Sequence, residues 1–230
     1  LFIKAAELGY AEAQDKLAKY YLRAIYVKRD YKKSLDWATK AADQGIAEAY
    51  NKLAFLHMTG KDVVEINAEK AFEYYNKAAD LGNVKAITNL AKHYLAGIGI
   101  KKDKPKAFKL FKKAADLGSA ESQHKMGYFY EFGVVVQKDL KKAKEWYVKA
   151  INKKYKKSQM ALASMYYYGD TDTNAKKNYK KAAEWYRIAA KNDKQDEEDK
   201  LIEIKATSAG SGFFVTPNHI VTNNHVTEDC

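Results

Sequence analysis

The sequence predicts an all-α protein, an α-solenoid superhelix of antiparallel helix pairs with a short β-forming C-terminal segment, and three observations carry that expectation. A motif of the form Lys-Ala-Ala-acid-x-Gly begins at Lys4, Lys40, Lys77 and Lys113, at spacings of 36, 37 and 36 residues. A degraded copy starts at Lys149 and a last one ends at Ala189-Ala190. Between the copies, apolar residues recur at helical period, and the chain's two prolines fall where neither breaks a helix. A fixed period of this length is the mark of a stacked array rather than a globular domain.

Leu1 to Leu8 reads as the second helix of a pair, so a first helix is expected upstream. Each later unit supplies two helices. The first helix of each pair is centred on Leu17, Leu53, Leu90, Met126 or Leu162, each followed by a small residue: Ala18, Ala54, Ala91, Gly127 or Ala163. Four positions after the apolar residue stand Tyr21, His57, Tyr94, Tyr130 and Tyr166, which completes a stripe buried along one side. The second helix has a small column, Ser34, Ala71, Ala107, Ala143 and Ala182, and a bulky one, Trp37, Tyr74, Leu110, Trp146 and Trp185. Small opposite large lets stacked helices interdigitate. Gly9, Gly45, Gly82 and Gly118 lie just past helix ends, where a left-handed residue is needed. Pro105 belongs at a helix start, and Asp103 and Asp139 are placed to cap or to compensate the helix dipole.

The alternation of A-x-x-x-L-A-x-x-Y-x-x-G with A-x-x-W/Y-x-x-x-A-A-x-x-G resembles the Sel-one-like repeat family, relatives of tetratricopeptide repeats, over residues 1–192. The family's loop pattern is intact at Gly97-Ile98-Gly99-Ile100 and eroded at Gly133-Val134-Val135-Val136. The first repeat has no glycine in Tyr26 to Asp30, and the last has a long polar loop from Gly169 to Asn174. The resemblance implies a scaffold or adaptor that binds partner proteins, with the first helices lining its concave side. Outward positions of those helices are Asn51, Phe55, Thr88, Lys92, His124 and Tyr128. Phe55 and Tyr128 are the expected anchors, since aromatic side chains dominate interface energetics; the competing reading is that they only cover neighbouring helices.

Composition fits such an array. At 47% hydrophobic and 13% aromatic, the 230-residue chain has material for a core extended in one dimension. The net charge is +12, and the tail from Lys194 holds three lysines against seven acids, so the residues before it carry +16. Clusters such as Lys153-Lys154-Tyr155-Lys156-Lys157 and Lys176-Lys177-Asn178-Tyr179-Lys180-Lys181 interleave cations with rings, as single-strand binders do. Against nucleic acid stands the scarcity of arginine, confined to Arg23, Arg29 and Arg187, and the use of those tyrosines for helix packing. An acidic protein partner is the favoured use of the charge.

One cysteine, Cys230, excludes an intramolecular disulfide and leaves the compartment open. No apolar run approaches the roughly 20 residues needed to span a bilayer. His57 stands in a tyrosine column and reads as a packed core residue, while His93 and His124 have no ligand at metal spacing beside them. No metal site and no cofactor is expected.

Residues 193–207 form a charged segment that either continues the last helix or links it to the C-terminal residues. In 208–230 the signals turn to β: Gly210-Ser211-Gly212, Phe213-Phe214-Val215, a Thr216-Pro217-Asn218 turn, and His219-Ile220-Val221-Thr222. The string from Gly210 to Val226 resembles the opening of a trypsin-like serine protease domain. That resemblance implies His225 as the general base, with the orienting aspartate and nucleophilic serine further along a longer chain. Only Thr227 to Cys230 follow it here, so this segment alone is expected to be inactive.

Overall fold

The computed structural model describes residues 2–169 and 178–189, and among them every regular element is an α-helix. In chain order these are α1 (Phe2–Glu7), α2 (Ala11–Arg23), α3 (Tyr31–Asp43), α4 (Ala47–Thr59), α5 (Ala68–Asp80), α6 (Val84–Ala96), α7 (Lys104–Asp116), α8 (Ala120–Phe132), α9 (Leu140–Asn152) and α10 (Lys156–Tyr168). A further helix, α11, covers 179–189. From α2 to α10 each helix has 13 residues. The chain forms two compact units, one of Leu1–Ser158 and one beginning at Gln159. The expected β-forming segment and charged linker lie outside the described residues.

Polar caps start the second helices. Asp30, Asn67, Asp103 and Asp139 each accept, through a side-chain oxygen, the backbone N–H three residues on, at 2.8–2.9 Å. That removes one of the unpartnered donors every helix start carries. The second helices end on Gly45, Gly82 and Gly118 at φ of 82°, 81° and 88°. At the next such turn the sequence supplies Lys154 instead, and its φ is 60°, a conformation that costs a side chain with a β-carbon about 1–2 kcal/mol. The first repeat likewise bends through Ala24 at φ 57°, where the third and fourth repeats use Gly97 and Gly133.

Within the first unit each helix packs on the next, and the small columns sit where sequence placed them. Ala18, Ala54, Ala91, Ser34, Ala71, Ala107 and Ala143 are wholly buried. The Ser34 hydroxyl donates to the Ala18 carbonyl at 2.9 Å, so even the polar member of its column is satisfied. Gly127 takes the place of alanine in its column because a β-carbon there would stand 2.5 Å from the Tyr147 ring.

The bulky column differs from expectation. The side chains that fill the interior are Tyr75, Phe111 and Tyr147, one residue after the expected Tyr74, Leu110 and Trp146, which are half-buried at the rim. A shift of one position turns a side chain about 100° around a helix, and the rim rings serve another purpose. Lys40 lies over Trp37 at 4.4 Å, Lys77 over Tyr74 at 5.9 Å and Lys149 over Trp146 at 4.1 Å. In these three copies the motif lysine is a cation held against the ring three residues before it, whereas Lys113 follows Leu110.

A second set of pairs follows the same logic between the two helices of a repeat. Lys33, Lys106, Lys142 and Lys181 lie over Tyr21, Tyr94, Tyr130 and Tyr166 at 4.3–5.5 Å. Seven lysines are thereby held against rings of the same chain.

Candidate protein-binding face

The first helices α2, α4, α6 and α8 adjoin one another, and a ladder of polar contacts joins each to the next. Lys52 Nζ reaches Asp15 at 2.7 Å, with side chains 6% and 15% exposed. Asn89 donates to the Asn51 amide oxygen at 3.3 Å. The Thr88 hydroxyl donates to the Val84 carbonyl at 2.9 Å and lies 2.9 Å from Ser122 Oγ and 3.1 Å from Ser119 Oγ. His124 Nδ1 is 3.0 Å from Ser158 Oγ, with its ring 5.3 Å from Tyr147 and 5.4 Å from Tyr155. Asp15, Asn51, Thr88 and His124 are the fifth residues of their helices, and each faces the following repeat.

This geometry corrects part of the expected docking set. Thr88 does not point outward: it is 3% exposed, and its hydroxyl is spent within the array. Asn51 and His124 are half-buried and engaged in the same ladder. A shallow depression of about 420 Å³ passes Asn51, Thr88, Asn89 and Glu121, so this polar seam still borders open space.

The ninth residues of the helices behave differently. Phe55 is 40% and Tyr128 38% exposed, while Lys92 pairs with Glu121 at 2.7 Å and also donates to Asn89 Oδ1 at 3.3 Å. Tyr128 lies against Phe132 with centroids 4.8 Å apart and ring planes tilted by 45°, and Lys125 lies over the Tyr128 ring at 5.2 Å. Phe132, 60% exposed, enlarges the aromatic patch and was missed from sequence, as was Lys19. Lys19 was findable, because it is the ninth residue of α2, in register with Phe55 and Tyr128.

The three histidines among the described residues, His57, His93 and His124, are packed groups. Burial pushes the His57 imidazole below its usual range, and Lys70 adds to the effect; the ring stacks on Tyr74 at 5.5 Å. His93 Nδ1 lies 2.7 Å from the Ile98 carbonyl oxygen, which makes it the donor. Burial, reinforced by Lys125 and Lys157, lowers His124 to about 4. Lys52 is lowered by burial against the opposing pull of Asp15. Among the described residues no cluster of three metal-ligating side chains occurs, and no helix is long and apolar enough to cross a membrane. The expected general base, His225, lies outside the described residues.

Stacked helix pairs with a continuous first-helix face define a repeat solenoid, and the comparisons with known proteins place it. The chain belongs to the Sel1 repeat family, whose model matches residues 11–46, 47–83, 84–119, 120–155 and 156–194. A Sel1 repeat protein from Oxalobacter formigenes is similar in structure, with a TM-score of 0.74 and 27% identity over 82% of this chain and 74% of that one. A protective antigen of uropathogenic Escherichia coli strains, displaying an SLR fold, gives 0.70 and 32% over 83% of this chain and 40% of that one. Among curated relatives, the ERAD-associated E3 ubiquitin-protein ligase component HRD3B of Arabidopsis thaliana is 34% identical over 43% of this chain. Chitin synthase regulatory factor 1 of Schizosaccharomyces pombe is 32% identical over 45%. The matched region spans only 15% and 23% of those two relatives.

Proposed function

We propose that the chain is a protein-interaction scaffold whose partner docks on the face of α2, α4, α6 and α8, anchored by Phe55 and Tyr128, with Lys92 beside them. The carrying observation is that the neighbouring column of Asn51, Thr88 and His124 is bound into the array while the two rings stay exposed in one column. Large aromatic side chains left in water at matching repeat positions are the anchors interfaces use. The relatives support the reading by name, one as a component of a ligase and one as a regulatory factor. An acidic partner suits the +12 chain. The test is partner binding by Phe55→Ala plus Tyr128→Ala, with helicity and thermal midpoint checked by circular dichroism. A loss of about tenfold or more in a folded variant is expected; undiminished binding rejects the face.

The string from Gly210 to Val226 favours a second reading, in which the repeats serve a trypsin-like serine endopeptidase with His225 as general base. On that reading residues 193–207 are the linker and 208–230 the domain's opening. A nucleophile motif in coding sequence downstream of His225, with hydrolysis abolished by His225→Ala in the longer chain, supports it. A stop codon directly after Cys230 removes it.

A further inference from the structure

Taking the ninth residue of α2, α4, α6 and α8 in turn gives Lys19, Phe55, Lys92 and Tyr128: cation, ring, cation, ring, at intervals of one repeat. All four reach solvent. Lys19, Phe55 and Tyr128 are exposed, and the Lys92–Glu121 pair has side chains 39% and 38% exposed. Such a solvated pair contributes little, so Lys92 exchanges Glu121 for another carboxylate at small cost. The bonds from Asp15 to Lys52, Asn51 to Asn89 and Thr88 to Ser122 show that consecutive first helices touch. Packed helices stand about 8–10 Å apart, and a chain in the polyproline II conformation advances about 3.1 Å per residue with three residues per turn, which brings every third side chain back to one face. One repeat of the face therefore matches one three-residue turn of such a chain laid across it.

Resting on the docking reading above, we infer that the partner presents an extended segment in which an acidic and an apolar side chain alternate at every third position. Charge complementarity selects the acidic side chains, since Lys19 and Lys92 are the cations of this column and Lys16 and Lys125 sit three residues before Lys19 and Tyr128. The exposed rings of Phe55 and Tyr128 select the apolar ones. A polyproline II segment meets all four positions from one face within about ten residues, whereas a β-strand turns side chains three apart to opposite faces. A helical ligand advances about 1.5 Å per residue, so it matches the step only through every second turn and needs about 22 residues to meet all four positions.

The experiment uses four soluble labelled peptides in a serine background, titrated with the full chain by fluorescence anisotropy. Two carry Glu and Phe alternating at every third position, one starting with Glu and one with Phe, because the direction of the bound segment is unassigned. One has the same composition with its Glu and Phe consecutive, and the last replaces each Glu of the better alternating peptide by Lys. An alternating peptide is expected to bind about tenfold or more tighter than the consecutive one. Lys19→Glu plus Lys92→Glu should reverse the preference toward the Lys-bearing peptide, and Lys19→Glu alone, which leaves the Glu121 contact untouched, should move it in the same direction. Equal binding of alternating and consecutive peptides overturns the inference, as does a preference unmoved by both lysine variants. If partner binding depends on Phe55 and Tyr128 while peptide spacing makes no difference, the docking reading stands and the spacing falls; if it does not depend on them, the docking reading itself fails.

Discussion

Gly127 is confined by a single side chain, that of Tyr147. A methyl group there meets the Tyr147 ring at 2.5 Å, and that ring is held by a 2.6 Å hydrogen bond from its hydroxyl to Glu131 Oε2. Burial raises the Glu131 pKa, partly offset by that bond. Gly127→Ala is expected to destabilise by about 1–3 kcal/mol, the cost of overpacking a filled core, whereas Ala91→Gly in the equivalent place should cost about 1 kcal/mol through helix propensity; urea midpoints check both. The three described histidines set a pH dependence. His124 holds its proton only near pH 4 when folded, against about 6.5 in an unfolded chain, so the unfolded chain takes up the proton first as pH falls. Stability is then complete above pH 6.5 and declines from there toward pH 4, by less than the full value of about 1.4 kcal/mol per unit from this half-buried group because solvent screens part of the effect, with His57 and His93 acting in the same direction. Urea unfolding at pH 7 and pH 5 measures the slope, which His124→Gln should flatten. At this scale the sequence was readable where a residue faces its own repeat and opaque where it faces the next. Phe55 and Tyr128 lie exposed as expected, but Thr88 shares their helix face in projection and differs only by a neighbouring hydroxyl, Ser122, 34 residues away.

Helix ends were the most legible elements because their rules are local. Asp103 and Asp139 cap, and Gly45, Gly82 and Gly118 turn, as the spacing implied. Where the pattern lapses the backbone does not, and Lys154 takes up the left-handed turn a glycine serves elsewhere. Lys154→Gly should raise stability by about 1 kcal/mol, seen as an upward shift in the thermal midpoint. Ala24→Gly should act in the same direction at the end of α2. The reverse change, Gly99→Ala, should destabilise by more, because its β-carbon would stand 2.2 Å from the Ala68 carbonyl oxygen at the start of α5. The bulky column was misjudged by one position, since the sequence offers a large residue at both Tyr74 and Tyr75 and at both Trp146 and Tyr147. Which of the two turns inward depends on the neighbouring helix, and the motif lysine then claims the other.

For the first unit as a whole, stability should follow neighbour count. The six-residue α1 packs on α2, whereas α4 to α8 each pack between two full-length helices. Amide exchange is expected to be slowest between about Ala47 and Ala150 and fastest in α1; equal protection in α1 and α5 contradicts it. The ladder along the first helices has one more implication, for how such a chain tolerates rearrangement of its own gene. Its junctions use different chemistries: a carboxylate with an ammonium at Asp15–Lys52, two amides at Asn51–Asn89, hydroxyls at Thr88–Ser122, and an imidazole with a hydroxyl at His124–Ser158. Each repeat therefore carries a distinct plug on one side and a distinct socket on the other. A duplication that set the third repeat behind the first would bring Asp15 against Asn89 and strand a largely buried carboxylate without its cation. Recombination can add or drop a unit only where the new neighbours still match, so the order of the repeats is itself inherited information.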